Sequence, residues 1–148
     1  MADLVTTISE TVTLNGSLRG SVNSVTTTGI NDVFERIVTC TASVVTTVAV
    51  FDTLPSTSAG AIDVDRTKYV RVTNLEASVD IELAVMTTTS SYTVTIRSGG
   101  SHVLYSGDAI ALGEVGSPTF GTMLNLASLQ VRPTTAVTAR VEVFVGVE

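Results

Sequence analysis

Val137-Thr138-Ala139-Arg140-Val141-Glu142-Val143-Phe144-Val145-Gly146-Val147 decides the fold class. Its odd positions, Val137, Ala139, Val141, Val143, Val145 and Val147, are all apolar, and its even positions carry Thr138, Arg140, Glu142, Phe144 and Gly146. Strict alternation over eleven residues is the period of a pleated strand with one face buried. The stiff χ1 of β-branched side chains costs them in a helix and suits a strand, so composition and period agree.

Working outward, the N-terminal run Leu4, Thr6, Ile8, Glu10, Val12, Leu14 alternates in the same way and ends at Asn15-Gly16. That dipeptide readily takes the positive φ values of a tight hairpin turn, so a second strand over Leu18 to Thr26 is expected to fold back on the first. Further strands are expected over Val33 to Cys40, Val44 to Phe51, Lys68 to Leu75, Ile81 to Met86, Tyr92 to Arg97 and His102 to Tyr105. A short one is expected at Ala109 to Leu112, and another from Leu124 to Val131. Turn-rich pieces separate them: Thr28 to Asp32, Pro55 to Gly60, Ser98 to Ser101, Gly113 to Pro118, and Pro133. Gly121 to Gln130 is the best helix candidate, but Asn125 and Ser128 are poor interior formers. The expected fold is all-β: an antiparallel β-sandwich, jelly-roll-like, of about ten short strands. No linker or repeat divides the 148 residues, so one domain spans 1–148, with 1–14 either an integral strand or an arm exchanged onto a neighbour.

Candidate chemistry is sparse. The single histidine, His102, stands at the start of a strand after Gly99-Gly100-Ser101, and a general base would need a Ser or Asp beside it in a cleft. No Gly-x-Ser-x-Gly elbow and no P-loop occur, so no catalytic residue is assigned and the chain is expected not to be an enzyme. One Cys and one His are too few for a four-ligand zinc site. Asp63 and Asp65 fall on one side of an extended segment, with Asp52 upstream as a third carboxylate for calcium, but Arg66 and Lys68 follow and neutralise them. No metal and no cofactor is therefore expected. Cys40 lies in the alternating run Phe34, Arg36, Val38, Cys40, where a buried inert thiol is the simpler reading. Asn15-Gly16-Ser17 matches a glycosylation acceptor, which the hairpin turn explains physically.

The charge pattern speaks about partners. Charged residues make up 15% of the chain against roughly 25% in ordinary soluble domains, while 44% are hydrophobic and mean hydropathy is +0.43. Net charge is −6 and the eight basic residues are scattered from Arg19 to Arg140, which disfavours nucleic acid, because phosphate tracking needs a basic stripe. No apolar stretch approaches the ~20 residues of a membrane-spanning helix, and residues 1–7 lack a basic start and an apolar core, so neither a membrane role nor a secretion signal is expected. Edge strands are normally blunted by Lys or Pro, yet Lys occurs once, at Lys68. A homo-oligomer, or a subunit docked on a larger shell, is the expectation.

Four stretches, in order along the chain, carry a resemblance: Ser9 to Gly16, Glu35 to Val38, Lys68 to Leu75 followed by Asp80 to Leu83, and the closing strand. Together they resemble the small all-β virion structural proteins of tailed bacteriophages, especially those of marine bacteria. The resemblance implies a non-enzymatic virion component made in the host cytoplasm. A capsid decoration or cement protein is the leading role, packing as a homo-oligomer, a trimer favoured, against the major capsid protein or other virion proteins. A tail, neck or fibre-attachment subunit is the alternative it leaves open; a ligand- or receptor-binding β-sandwich module is an alternative of another class. The stretch Gly107 to Leu112 departs from the apolar run such relatives would place before that turn.

Overall fold

The closing alternation becomes β13 (Ala139–Val147) in this computed structural model, which describes residues 1–113, 116 and 120–148. Ala139, Val141, Val143 and Val145 are fully buried, and β13 is flanked on one side by β5 (Asp32–Cys40) and on the other by β8 (Thr67–Asn74), both antiparallel. With β11 (Ser101–Leu104) outside β8, these form a four-stranded sheet in the order β11-β8-β13-β5. The second sheet has five strands in the order β10-β9-β12-β6-β7, comprising β6 (Thr46–Asp52), β7 (Ile62–Asp63), β9 (Ile81–Thr87), β10 (Ser91–Ile96) and β12 (Leu126–Pro133). All its pairings are antiparallel except the two-residue β6–β7 contact. A 3-10 turn at Pro55–Thr57 is the only helical piece among the described residues.

The two sheets share one hydrophobic core. Ile81, Leu83 and Val85 of β9 and Leu129 and Val131 of β12 meet Val70 and Val72 of β8 and the valines of β13. Each such side chain taken from water stabilises the fold by roughly 1.5–3 kcal/mol before the entropy of ordering is charged against it. The core is almost entirely aliphatic, with Asn74 and Thr67 the most deeply buried polar residues among those described. Asn74 Nδ2 donates to the carbonyls of Val79 (2.7 Å) and Ile96 (3.2 Å), and its Oδ1 accepts from Glu76 N (3.1 Å), so one side chain closes the loop between β8 and β9.

Ahead of the sheets lies a long antiparallel ribbon. β1 (Ala2–Ser9) pairs with β4 (Val22–Ile30), and β2 (Val12–Leu14) with β3 (Ser17–Arg19). The pairing Leu4↔Thr27 through Ser9↔Val22 continues in the same register as Val12↔Arg19 and Leu14↔Ser17. Asn15 and Gly16, at φ 49° and 76°, make the two-residue turn that their identities predict. Gly20 permits the continuity at the junction: its φ is 131°, and a Cβ there would fall 1.9 Å from the Glu10 carbonyl oxygen.

The expected strands largely stand, with four corrections, of which one is Pro133: expected as a turn, it is the last residue of β12 and pairs with Ile81. The strand expected from Leu18 to Thr26 is two pieces interrupted at Gly20-Ser21. The turn expected over Thr28 to Asp32 contracts to Asn31 alone, because β4 runs to Ile30 through a positive-φ Gly29 and Asn31 N is tied to the Val147 carbonyl at 2.8 Å. Ala109 to Leu112 is no strand: Ala109 takes φ 50°, its N donates to Asn125 Oδ1, and a single bridge joins Ala111 to Leu124. The strand expected from Leu124 to Val131 stands as β12 in preference to the helix weighed over Gly121 to Gln130; a bulge between Leu126 and Ser128 puts Leu126 and Leu129 on one face at a helix-like spacing of three. Of the turn expected at Gly113 to Pro118, Glu114, Val115, Ser117 and Pro118 lie outside the described residues.

Candidate interaction surface and polar clusters

The ribbon is the least covered part of the chain. Val5, Ile8, Val12, Leu14, Leu18 and Val22 are all about half exposed or more, Leu18 reaching 73%. Directly opposed residues of an antiparallel pair share a face, so the register assigns Leu4, Thr6, Ile8, Glu10, Val12 and Leu14 to one face, together with Val25 and Arg19. Only the base of that face is supported. Leu4, Thr6 and Thr27 are half-buried and Ile30 is buried, lying over the outer surface of the four-stranded sheet.

The supporting surface is built from aromatic side chains on β8 and β13. Tyr69 packs edge-on against Phe144 (6.0 Å between ring centroids) and Tyr105 (5.8 Å), and the Arg71 guanidinium lies 5.7 Å over the Phe144 ring while pairing with Glu142 at 2.8 Å. Gly146 permits the close approach: a Cβ there would come within 3.2 Å of Ile30 Cδ1 and 3.6 Å of Leu4 Cδ2. A groove of about 290 Å³ remains between Leu4–Thr7 and Tyr69, Arg71 and Phe144. On the far side of the molecule, the outer face of the five-stranded sheet is more polar, with Thr93 and Gln130 around a Glu82–Arg132 ion pair in a shallow groove of about 280 Å³.

The candidate residues for chemistry fall into separate places. His102, on β11, is paired with Val72 on the inward side and meets Tyr92 of β10, its Nε2 3.2 Å from the Tyr92 hydroxyl. Desolvation lowers the His102 pKa and raises that of Tyr92, so burial favours the neutral form of each. The contact joins the edge strands of the two sheets, and His102 has no Ser or Asp hydrogen-bond partner among the described residues. Cys40 is fully buried, and burial pushes its thiol pKa up, which disfavours the reactive thiolate.

Asp52 and Asp63 sit opposite each other in the β6–β7 contact, but each carboxylate is engaged locally. Asp52 Oδ1 accepts from Leu54 N (3.1 Å), Asp63 Oδ1 from Asp65 N (3.1 Å), and Asp63 Oδ2 lies 3.6 Å from Arg66 Nε. Among the described residues no three or more carboxylate, His or Cys side chains are grouped to hold a metal ion. One residue near this loop is invisible to spacing arguments: Asp108, whose pKa is raised first by burial and then by the charge of Asp65, with Lys68 pulling the other way. Its Oδ1 is enclosed without a hydrogen-bond partner. Gly107 brings it there, donating its N–H to the Thr67 carbonyl at 3.0 Å, a contact spanning 40 positions that local sequence does not announce.

No family model matches the chain, and neither a curated protein nor a solved structure matches it.

Proposed function

We propose that this chain is a non-enzymatic structural subunit of a phage virion, a capsid decoration or cement protein that stabilises the shell by protein–protein packing. The observation that carries the reading is the ribbon: a face with exposed Ile8, Val12 and Leu14 extends past the sheet that supports its base, as expected of a surface made to be covered in an assembly. The architecture is in keeping with it. Setting β7 aside, the strand orders β11-β8-β13-β5 and β10-β9-β12-β6 support reading the two sheets as an eight-stranded β-sandwich of jelly-roll type, an architecture used in viral capsids and also in lectin domains. Fold does not fix function, so the surface, together with the sequence resemblance to phage virion proteins, bears the weight of the proposal.

The reading places the protein in the virion, with the major capsid protein or another virion protein as partner and further copies of itself alongside. Mixing the purified protein with shells assembled from the major capsid protein of the same genome tests it. Co-sedimentation at a fixed ratio, with a raised melting temperature of the shell, is the expected result. Absence of binding to shells alongside binding to isolated tails would replace the capsid role with the tail or neck role.

A further inference from the structure

The ribbon face that rests on the four-stranded sheet does not change character where its support stops. At the base, Leu4 and Ile30 lie against Gly146. Beyond it, Ile8, Val12 and Leu14 continue the same alternation at 49%, 55% and 59% exposure, with Val25 beside them. Leu4 to Leu14 is a ribbon about 37 Å long at roughly 3.4 Å per residue, and a two-stranded hairpin is marginal in water without a covered face.

We infer that the outer half of this ribbon seats on the outer face of the four-stranded sheet of a second copy of the chain, over Val33 and Ile37 of β5. The inference rests on the assembly reading proposed above and names the partner and the two surfaces. The base already displays the complementarity, since this ribbon face packs against this sheet face within one molecule. The same sheet face carries two exposed apolar side chains farther along, Val33 at 45% and Ile37 at 62%, on either side of Glu35, on an edge strand of nine residues without Lys or Pro. One charge pair agrees: Arg19 shares the ribbon face with Val12 and with Glu10, Glu35 lies between Val33 and Ile37 on the sheet, and neither Arg19 nor Glu35 has an ion-pair partner among the described residues.

Area agrees as well. A compact monomer of 15.4 kDa exposes roughly 7,200 Å², whereas this chain exposes 8664 Å². The excess of about 1,500 Å² matches two patches of about 800 Å², the share each partner contributes to a standard interface. Each copy gives one ribbon and receives one, so the contact closes either reciprocally, as a two-fold dimer, or head-to-tail, as a ring.

Light scattering of the full chain, with Val12→Lys on the ribbon and Ile37→Lys on the sheet, tests the contact. Both positions are exposed, and unchanged thermal unfolding verifies that each variant folds. The wild-type protein is expected at a fixed multiple of 15.4 kDa and each variant alone at a single-chain mass. An equimolar mixture of the variants is expected to form a species of two chains, because one intact ribbon then meets one intact sheet. A monomeric wild type, or an Ile37→Lys variant that keeps the wild-type mass, overturns the inference. Shell binding separates the two proposals: a dimer or ring that ignores capsid shells sinks the capsid role alone, and a monomer that binds them sinks the ribbon contact alone.

Discussion

β13 and the N-terminal ribbon are written in the same alphabet and end in opposite environments. Both alternate apolar and polar residues with period two, yet Val141, Val143 and Val145 are wholly enclosed while Val5, Ile8 and Val12 stand 60%, 49% and 55% exposed. The difference is the number of neighbours each strand acquires. β13 has a strand on either side and a second sheet across its inner face, whereas β1 has β4 alone and support under its base only. Alternation therefore specifies a strand with one apolar face and leaves open what covers that face.

Mutations sharpen that contrast, and the core should respond most. Leu83→Ala removes a fully buried side chain between the sheets and is expected to cost about 3 kcal/mol, read as a shift of the chemical-denaturation midpoint. Asn74→Ala should follow at about 2 kcal/mol, since it strips partners from the carbonyls of Val79 and Ile96 and from Glu76 N. A midpoint unchanged by either would break the assignment of global stability to the two-sheet core.

The ribbon should answer locally. Gly20→Ala forces a Cβ into the Glu10 carbonyl at a φ of 131° and is expected to weaken the ribbon by more than about 1 kcal/mol. Hydrogen exchange should show faster amides on both sides of the junction, with the amides of β13 unaffected; faster exchange of β13 together with the ribbon would mean the two unfold as one unit.

Acid offers a gentler probe of the seam between the sheets. The His102 pKa is lowered below its ordinary 6.5, so the unfolded chain takes up a proton before the folded one does. Stability is thus full above about 6.5 and declines as pH falls from there to the depressed folded value, and His102→Gln should flatten that part of the profile. Leu18→Ala should have the smallest effect, within about 0.5 kcal/mol in the isolated chain, because its side chain is 73% exposed.

Much of this was legible before folding was considered. The period-two runs at Val33 to Cys40, Lys68 to Leu75, Ile81 to Met86 and Tyr92 to Arg97 locate β5, β8, β9 and β10 to within a residue or so at each end, and Asn15-Gly16 locates the hairpin. The expectations break where a backbone irregularity breaks the period: the positive φ of Gly29 joins β4 across an expected turn, and that of Ala109 removes an expected strand, whereas the bulge in β12 only imitates a helical leucine spacing. Among the polar residues, the burial of Cys40 followed from its place in a run. The enclosed Asp108 and the Tyr92–His102 contact did not, because both depend on segments brought together from afar.

The sequence by itself determined the all-β class, most strand positions and the tight hairpin, since side-chain period, β-branching and turn chemistry act over a few residues. Tertiary structure alone decided the order of strands in the two sheets, and which alternating face became core. Pairing partners lie tens of residues apart, and an apolar face is buried only where another element arrives to cover it. β13 became core because β5 and β8 flank it and the second sheet closes over its valines, whereas the ribbon, with the same period, outruns the sheet beneath it.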